Sequence, residues 1–194
     1  MNENNWPDYW GHLFTPAEFV PTVEDGRVWA VDNGVFKRGF VWEDMRDFLE
    51  SKEEHREACK FVVIPDVVGD AVATMCLYRH WAWRIKAMGW PVAFVAQDGQ
   101  EQHDFPPEYD ALFIGGTTHW KMGEGAVRCI VQAQANGKWV HVGRVNTQRR
   151  IAYFQQLNVD SVDGTCLAYG PEVNRWRLEK QLAMRLLSGF TLEQ

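Results

Sequence analysis

The sequence predicts an α/β fold, a parallel sheet with its helices outside. Three observations lead there. Apolar, β-rich runs of four to seven residues alternate with longer helical patterns. Several of these runs are continuously apolar, as in strands buried on both faces. Most of them end in Asp, Gln or Gly, the residue types that parallel sheets present to ligands. A complete eight-unit (β/α) barrel takes about 250 residues, with a lower end near 200. A chain of 194 residues therefore closes either as a trimmed (β/α) barrel or as a doubly wound open sheet. One domain over 1–194 is expected.

Arg27–Asp32 reads as the first strand, stopped by the turn signal Asn33-Gly34. Gly11–Val23 supplies a further strand or covers one end. Trp42–Lys60 reads as a helix with a charged outer face. Phe61–Asp66 (FVVIPD) is an apolar strand stopped at proline. Asp70–Met88 is a helix with Asp70 at its cap. Pro91–Gln97 and Ala111–Gly116 are the next strands. Glu124–Asn136 is a helix closed by Gly137. Trp139–Val145 is a strand, and Thr147–Leu157 a helix capped by Asn146. Asp160–Thr165 is a short strand, and Pro171–Leu187 the last helix, with proline early.

Composition narrows the function. Hydrophobic residues make up 46% and charged residues 24%, the balance of a globular chain. The net charge of −6 argues against holding nucleic acid by bulk charge, although a local basic surface suffices at a site. No run of 18 apolar residues occurs, and the first ten residues do not read as a secretory signal. A cytoplasmic setting is expected. Cys59, Cys76, Cys129 and Cys166 are widely spread, which fits reduced thiols rather than a metal site. Ten tryptophans serve core packing or stacking on a flat ligand. No phosphate loop, dinucleotide fingerprint, serine elbow or zinc-deaminase pattern is present.

The strand ends carry the chemistry. They offer Asp32, then Asp66, then Gln97, then Gly115-Gly116, then Gly143-Arg144, then Asp160 and Asp163. A single Asp after a strand usually caps a helix or makes a turn. Several carboxylates, an amide and a glycine pair, all at strand ends, read instead as a binding ring. His119 lies in the loop beside it.

In this order the strand ends resemble the tRNA-guanine transglycosylase superfamily, closest in style to its DNA-directed 7-deazaguanine branch of phages and bacteria. The resemblance covers about Val28 to Thr165. It rests on Asp32-Asn33-Gly34-Val35-Phe36, on Asp66 in VIPD, on Gln97 in FVAQDG, and on Gly115-Gly116 in IGG. His141-Val142-Gly143-Arg144 and Asn158-Val159-Asp160-Ser161-Val162-Asp163-Gly164 complete it.

The resemblance implies a TIM-barrel-like (β/α) fold and a base-exchange transferase that needs no cofactor. Asp163 matches the nucleophile and Asp32 the general acid/base. Asp66, Gln97 and Gly116 match the groups that read the base. Such chemistry uses one carboxylate to attack an oxocarbenium-like C1′ and another to protonate the departing purine. Asp66 suits the N1–H and N2–H₂ donors of guanine; Gln97 and the Gly116 N–H suit its O6. Asp160, Gly115, His119 and Arg144 are expected around the substrate. Lys37, Lys121, Arg149, Arg150, Arg175 and Arg177 are expected to hold the strand, and Trp120 and Trp176 to stack on bases or pack.

The family's tRNA-acting members carry a cysteine-rich zinc motif after the nucleophile, where only Cys166 follows here. Asn33 stands for a serine and Gly164 for a cysteine. These departures and the chain's length favour DNA over tRNA as polymer. The expected partners are DNA and a free 7-deazaguanine base, with no membrane, and self-association as a homodimer. Two other classes remain: an N-glycosidase or transferase on free nucleosides or nucleotides with the same carboxylates, and a non-catalytic binding barrel.

Overall fold

A computed structural model describes residues 11–16, 23, 27–35, 39–165 and 173–180. Lys37, Cys166 and the ends of the last expected helix lie outside the described residues. The chain divides into two compact units, Met1–His141 and Val142–Gln194.

The first unit begins with β1 (His12–Phe14) and β2 (Trp29–Val31), then α1 (Trp42–Ser51) and a 3₁₀ turn at Glu53–Ala58. β3 (Cys59–Val63), α2 (Ala71–Ala87) and β4 (Val92–Ala96) follow. A 3₁₀ turn (Gln100–Gln102) leads to β5 (Ala111–Ile114). Then come α3 (Thr118–Lys121), α4 (Glu124–Ala135) and β6 (Trp139–Val142), whose last residue opens the second unit.

Several boundaries differ from the sequence reading: the strand expected over Trp139–Val145 ends at Val142, and the short strand expected over Asp160–Thr165 is Ser161–Val162. The helix begun at Trp42 ends at Ser51, and the next strand starts at Cys59 instead of Phe61. The Glu-rich stretch between them tightens into the 3₁₀ turn. Gly11–Val23 does supply a strand, β1.

Strands β1 to β6 are hydrogen-bonded in the order of the chain, and β1 to β5 pair in parallel. A doubly wound sheet reverses its order part-way. This one winds in one direction, so right-handed crossovers carry the helices to one face. The architecture is therefore barrel-like α/β.

The other face covers itself. Ala30, Phe61, Val63, Ala93, Val95, Ala111 and Phe113 form a buried cluster made of strand residues alone, with Leu13 and Trp139 packed against it. The ring of Phe61 on β3 lies 5.2 Å from that of His141 on β6, across two intervening strands. In a flat sheet those strands would stand about 14 Å apart. The contact requires a strong curl, which also makes His141 a 5% exposed core residue.

The second unit holds α5 (Gln148–Gln156), β7 (Ser161–Val162) and a helix at 173–180, here α6. Asp163, just past β7, donates its N–H to the Val142 carbonyl (3.1 Å), and its own carbonyl accepts from Val145 N–H (2.6 Å). Thr147, not Asn146, caps α5, accepting from Arg150 N–H at 3.3 Å. Asn146 is used elsewhere: its Oδ1 accepts from Thr165 N–H at 2.7 Å. Among the described residues no helix is long and apolar enough to cross a membrane.

Candidate functional site

The C-terminal ends of β2, β3, β4 and β5 bring four of the expected positions together in the first unit. Asp32 follows β2. Its N–H donates to the Phe14 carbonyl (2.7 Å), and its Oδ1 accepts from Gly34 N–H (2.8 Å), closing an Asx turn. That turn aims the next side chain, Asn33, inward. Asn33 is 8% exposed. Its Nδ2 donates to the Ile64 carbonyl (3.0 Å) and to Asp66 Oδ1 (2.7 Å), while its Oδ1 accepts from Val35 N–H (3.0 Å).

Asp66, half-buried beyond β3, receives a second amide. Gln97 Nε2 donates to Asp66 Oδ2 at 2.6 Å. The Gln97 side chain is buried at the end of β4, and its Oε1 accepts from Gly116 N–H (2.8 Å) and Gly69 N–H (2.9 Å). Two backbone N–H groups can only donate, so they settle which end of the amide is oxygen. The remaining end must face the carboxylate. Both Asp66 oxygens thus accept from side-chain amides.

The glycine pair is required by close approach. A Cβ on Gly115 would stand 2.5 Å from Gln97 Nε2 and 2.7 Å from Val95 Cγ1. Gly116 has φ +58, and a Cβ there would run into the Trp120 ring. Asp98 fixes the segment that follows. Its carboxylate accepts from Thr117 N–H and Oγ1, both at 2.7 Å. Thr117 in turn caps α3, a short helix where the sequence reading had a loop. Trp120 is half-buried, with its indole N–H on Glu101 Oε2 at 2.9 Å. It packs beneath the glycine and is held there.

Gln97 and Gly116 were expected to offer the amide and an N–H to a carbonyl of the ligand. In the structure they bond to each other, and Gln97 spends its amide on Asp66. Sequence reasoning passed over Gly69 and Thr117, gave Asp98 no role, and took Asn33 as a turn signal and a departure from a motif. The signal for Asn33 was its place between Asp32 and Gly34, in a turn whose neighbours are aimed by hydrogen bonds. His119 is exposed on α3. Lys121 is 5% exposed, so it stands apart from the exposed cations with which it was grouped. A shallow depression lined by Thr15, Asn33, Gly34, Val41 and Asp44 opens beside Asn33.

The second unit carries its own arrangement. Asp163 Oδ1 accepts from Arg144 N–H at 3.0 Å. Arg144 holds φ 58, a conformation unusual for a non-glycine residue, and its side chain is exposed. Gly164 leaves no room for a side chain: a Cβ would stand 2.5 Å from the Val145 carbonyl oxygen. Asp160 is exposed. Arg149 and Arg177 are exposed and Arg150 is half-buried, whereas Arg175 is engaged by Glu179 at 2.8 Å. Trp176 is 60% exposed, with Lys180 5.1 Å from its ring centre.

Among the described residues no group of three or more His, Cys, Asp or Glu side chains gathers around a common point suited to a metal ion. Burial pushes the thiols of Cys59 and Cys129 up to about 12, so both stay protonated in the core. Comparison with family models, with curated proteins and with solved structures finds no match to this chain.

Proposed function

We propose that this chain is a base-exchange enzyme that replaces guanine in DNA with a 7-deazaguanine derivative through a covalent aspartyl-glycosyl intermediate. The observation that carries the reading is the amide-held carboxylate of Asp66 at the ends of the strands. It is a fixed, acceptor-only group of the kind that recognises the N1–H and N2–H₂ edge of guanine. The barrel-like sheet, with these groups at its carboxyl ends, is the setting in which such sites occur.

In this reading a carboxylate oxygen of Asp163 bonds to C1′ as the C1′–N9 bond breaks. The electron pair of that bond leaves with guanine, which takes a proton from Asp32. The incoming base gives its N9 proton to Asp32 and bonds to C1′, and Asp163 departs as carboxylate. Two displacements retain configuration at C1′. The target base must first leave the helix stack. Charge distribution supports a polyanionic partner. The second unit has seven Lys and Arg against five Asp and Glu, and the first has thirteen against twenty-one. DNA as the polymer rests on the sequence departures given above.

The test is incubation with plasmid DNA, bulk tRNA and a 7-deazaguanine base, followed by nucleoside digestion and mass spectrometry. A 7-deazaguanine deoxynucleoside in the DNA digest is the expected result. The modified nucleoside in the tRNA digest overturns the choice of polymer. Free guanine without incorporation replaces exchange by hydrolysis.

A further inference from the structure

We propose that Asn33 is a positioning residue that, with Gln97, clamps Asp66, and that the clamped site selects its ligand by an N–H donor edge and not by a carbonyl. The ligand half rests on the base-exchange reading; the clamp does not. Asn33 is buried, and all three of its polar bonds stay within the protein, at 2.7 to 3.0 Å. It connects the end of β2 to the end of β3 and fixes one oxygen of Asp66.

Gln97 fixes the other oxygen from β4, and its own carbonyl has both lone pairs committed to Gly69 and Gly116. Neither amide is left to meet a ligand's carbonyl. What the clamp presents is a carboxylate, a group that only accepts. A 2-amino-6-oxopurine presents two adjacent N–H donors to it, whereas hypoxanthine lacks the 2-amino group. A missing partner for a buried polar group weakens binding by about tenfold or more.

The isosteric Asn33→Asp tests this. It places a carboxylate oxygen where an N–H donor stands 2.7 Å from Asp66 Oδ1. Two carboxylates so close share a proton or repel. Among the described residues the surrounding elements also carry Asp32, Asp44, Asp70, Asp98, His119 and Lys121, unchanged in the variant. Its pH dependence relative to wild type therefore comes from the new carboxylate, which faces Asp66 Oδ1 and the Ile64 carbonyl.

Thermal unfolding and binding of free guanine and hypoxanthine are measured for both proteins from about pH 5 to pH 8. The clamp predicts that the variant loses stability relative to wild type as pH rises. Guanine affinity is expected to fall with it, by about tenfold at the upper end, and to recover at the lower end, where a shared proton replaces the amide donor. Wild type is expected to prefer guanine to hypoxanthine by a similar factor. A stability difference that does not change with pH overturns the clamp, whatever binds. A stability difference between variant and wild type that grows with pH, with no guanine bound by wild type, supports the clamp and overturns the ligand half together with the base-exchange reading. Equal affinity for the two bases overturns the donor-edge selection alone.

Discussion

Gln97 Nε2 lies 2.6 Å from Asp66 Oδ2, so the end of β4 holds the carboxylate that follows β3. The bond also fixes the role of Gln97, which serves the carboxylate through one end and the backbone of two loops through the other.

Gln97→Glu is expected to convert that contact into a proton-sharing pair. Its backbone-facing oxygen still accepts from Gly69 and Gly116, while the other oxygen opposes Asp66. The folded-state pKa of the pair is raised above the ordinary carboxylate value near 4. Its contribution to stability is fully present below that value and lost as pH rises through the raised one. Urea unfolding at about pH 5 and pH 8 is expected to show a growing deficit relative to wild type. A variant that tracks wild type at both pH values would show that the amide is not facing the carboxylate.

Gly116→Ala is expected to destabilise the protein by roughly 1–3 kcal/mol, from left-handed backbone and collision with a held ring. The φ of +58 and the Trp120 ring both oppose a Cβ there. Relief of only the collision, in Gly116→Ala combined with Trp120→Ala, leaves the backbone part. Chemical denaturation of the two variants, with Trp120→Ala alone as reference, separates them. A neutral Gly116→Ala contradicts the packing described.

The buried thiols predict alkaline sensitivity. Desolvation raises Cys59 and Cys129 to about 12, and burial also raises Tyr78. In the unfolded chain a thiol loses its proton near 8.5. A raised folded-state value contributes stability that is fully present below about 8.5 and falls away as pH climbs towards the folded value. The melting temperature is therefore expected to drop between about pH 8 and pH 10. Cys76, which is exposed, is expected to react with a maleimide before Cys59 and Cys129. Peptide mapping after brief labelling checks the order.

The exchange reading separates its two carboxylates kinetically. Asp163→Ala is expected to abolish incorporation while leaving binding of the free base intact. Asp66→Ala is expected to raise the KM for the incoming base by about tenfold or more, since the N–H donors of the base lose their acceptor. Full activity in Asp163→Ala would remove that residue from the nucleophile's place. Asp66→Ala also leaves Asn33 and Gln97 unsatisfied, so its folded fraction is measured alongside.

Much of this fold was legible because its signals are local. Continuous apolar runs such as CKFVV and VAFVA need only their own composition to mark buried strands, and Asp70 before an apolar helix marks its cap. The same logic located Asp32, Asp66, Gln97 and Gly116 at strand ends, because strand ends are set by sequence punctuation. Asn146 shows the limit: two residues that both make good caps stand side by side, and a bond to Thr165, 19 positions away, decides between them.

What only the tertiary structure decided is closure and pairing. The sequence allowed either a doubly wound sheet or a trimmed barrel, since both repeat the same local units. Strand order, and the meeting of Phe61 with His141, separate them through the curl of one sheet. Likewise, composition determined that Gln97 and Gly116 end neighbouring runs. It did not determine that each would satisfy the other, because a buried amide takes the partners that packing brings within reach.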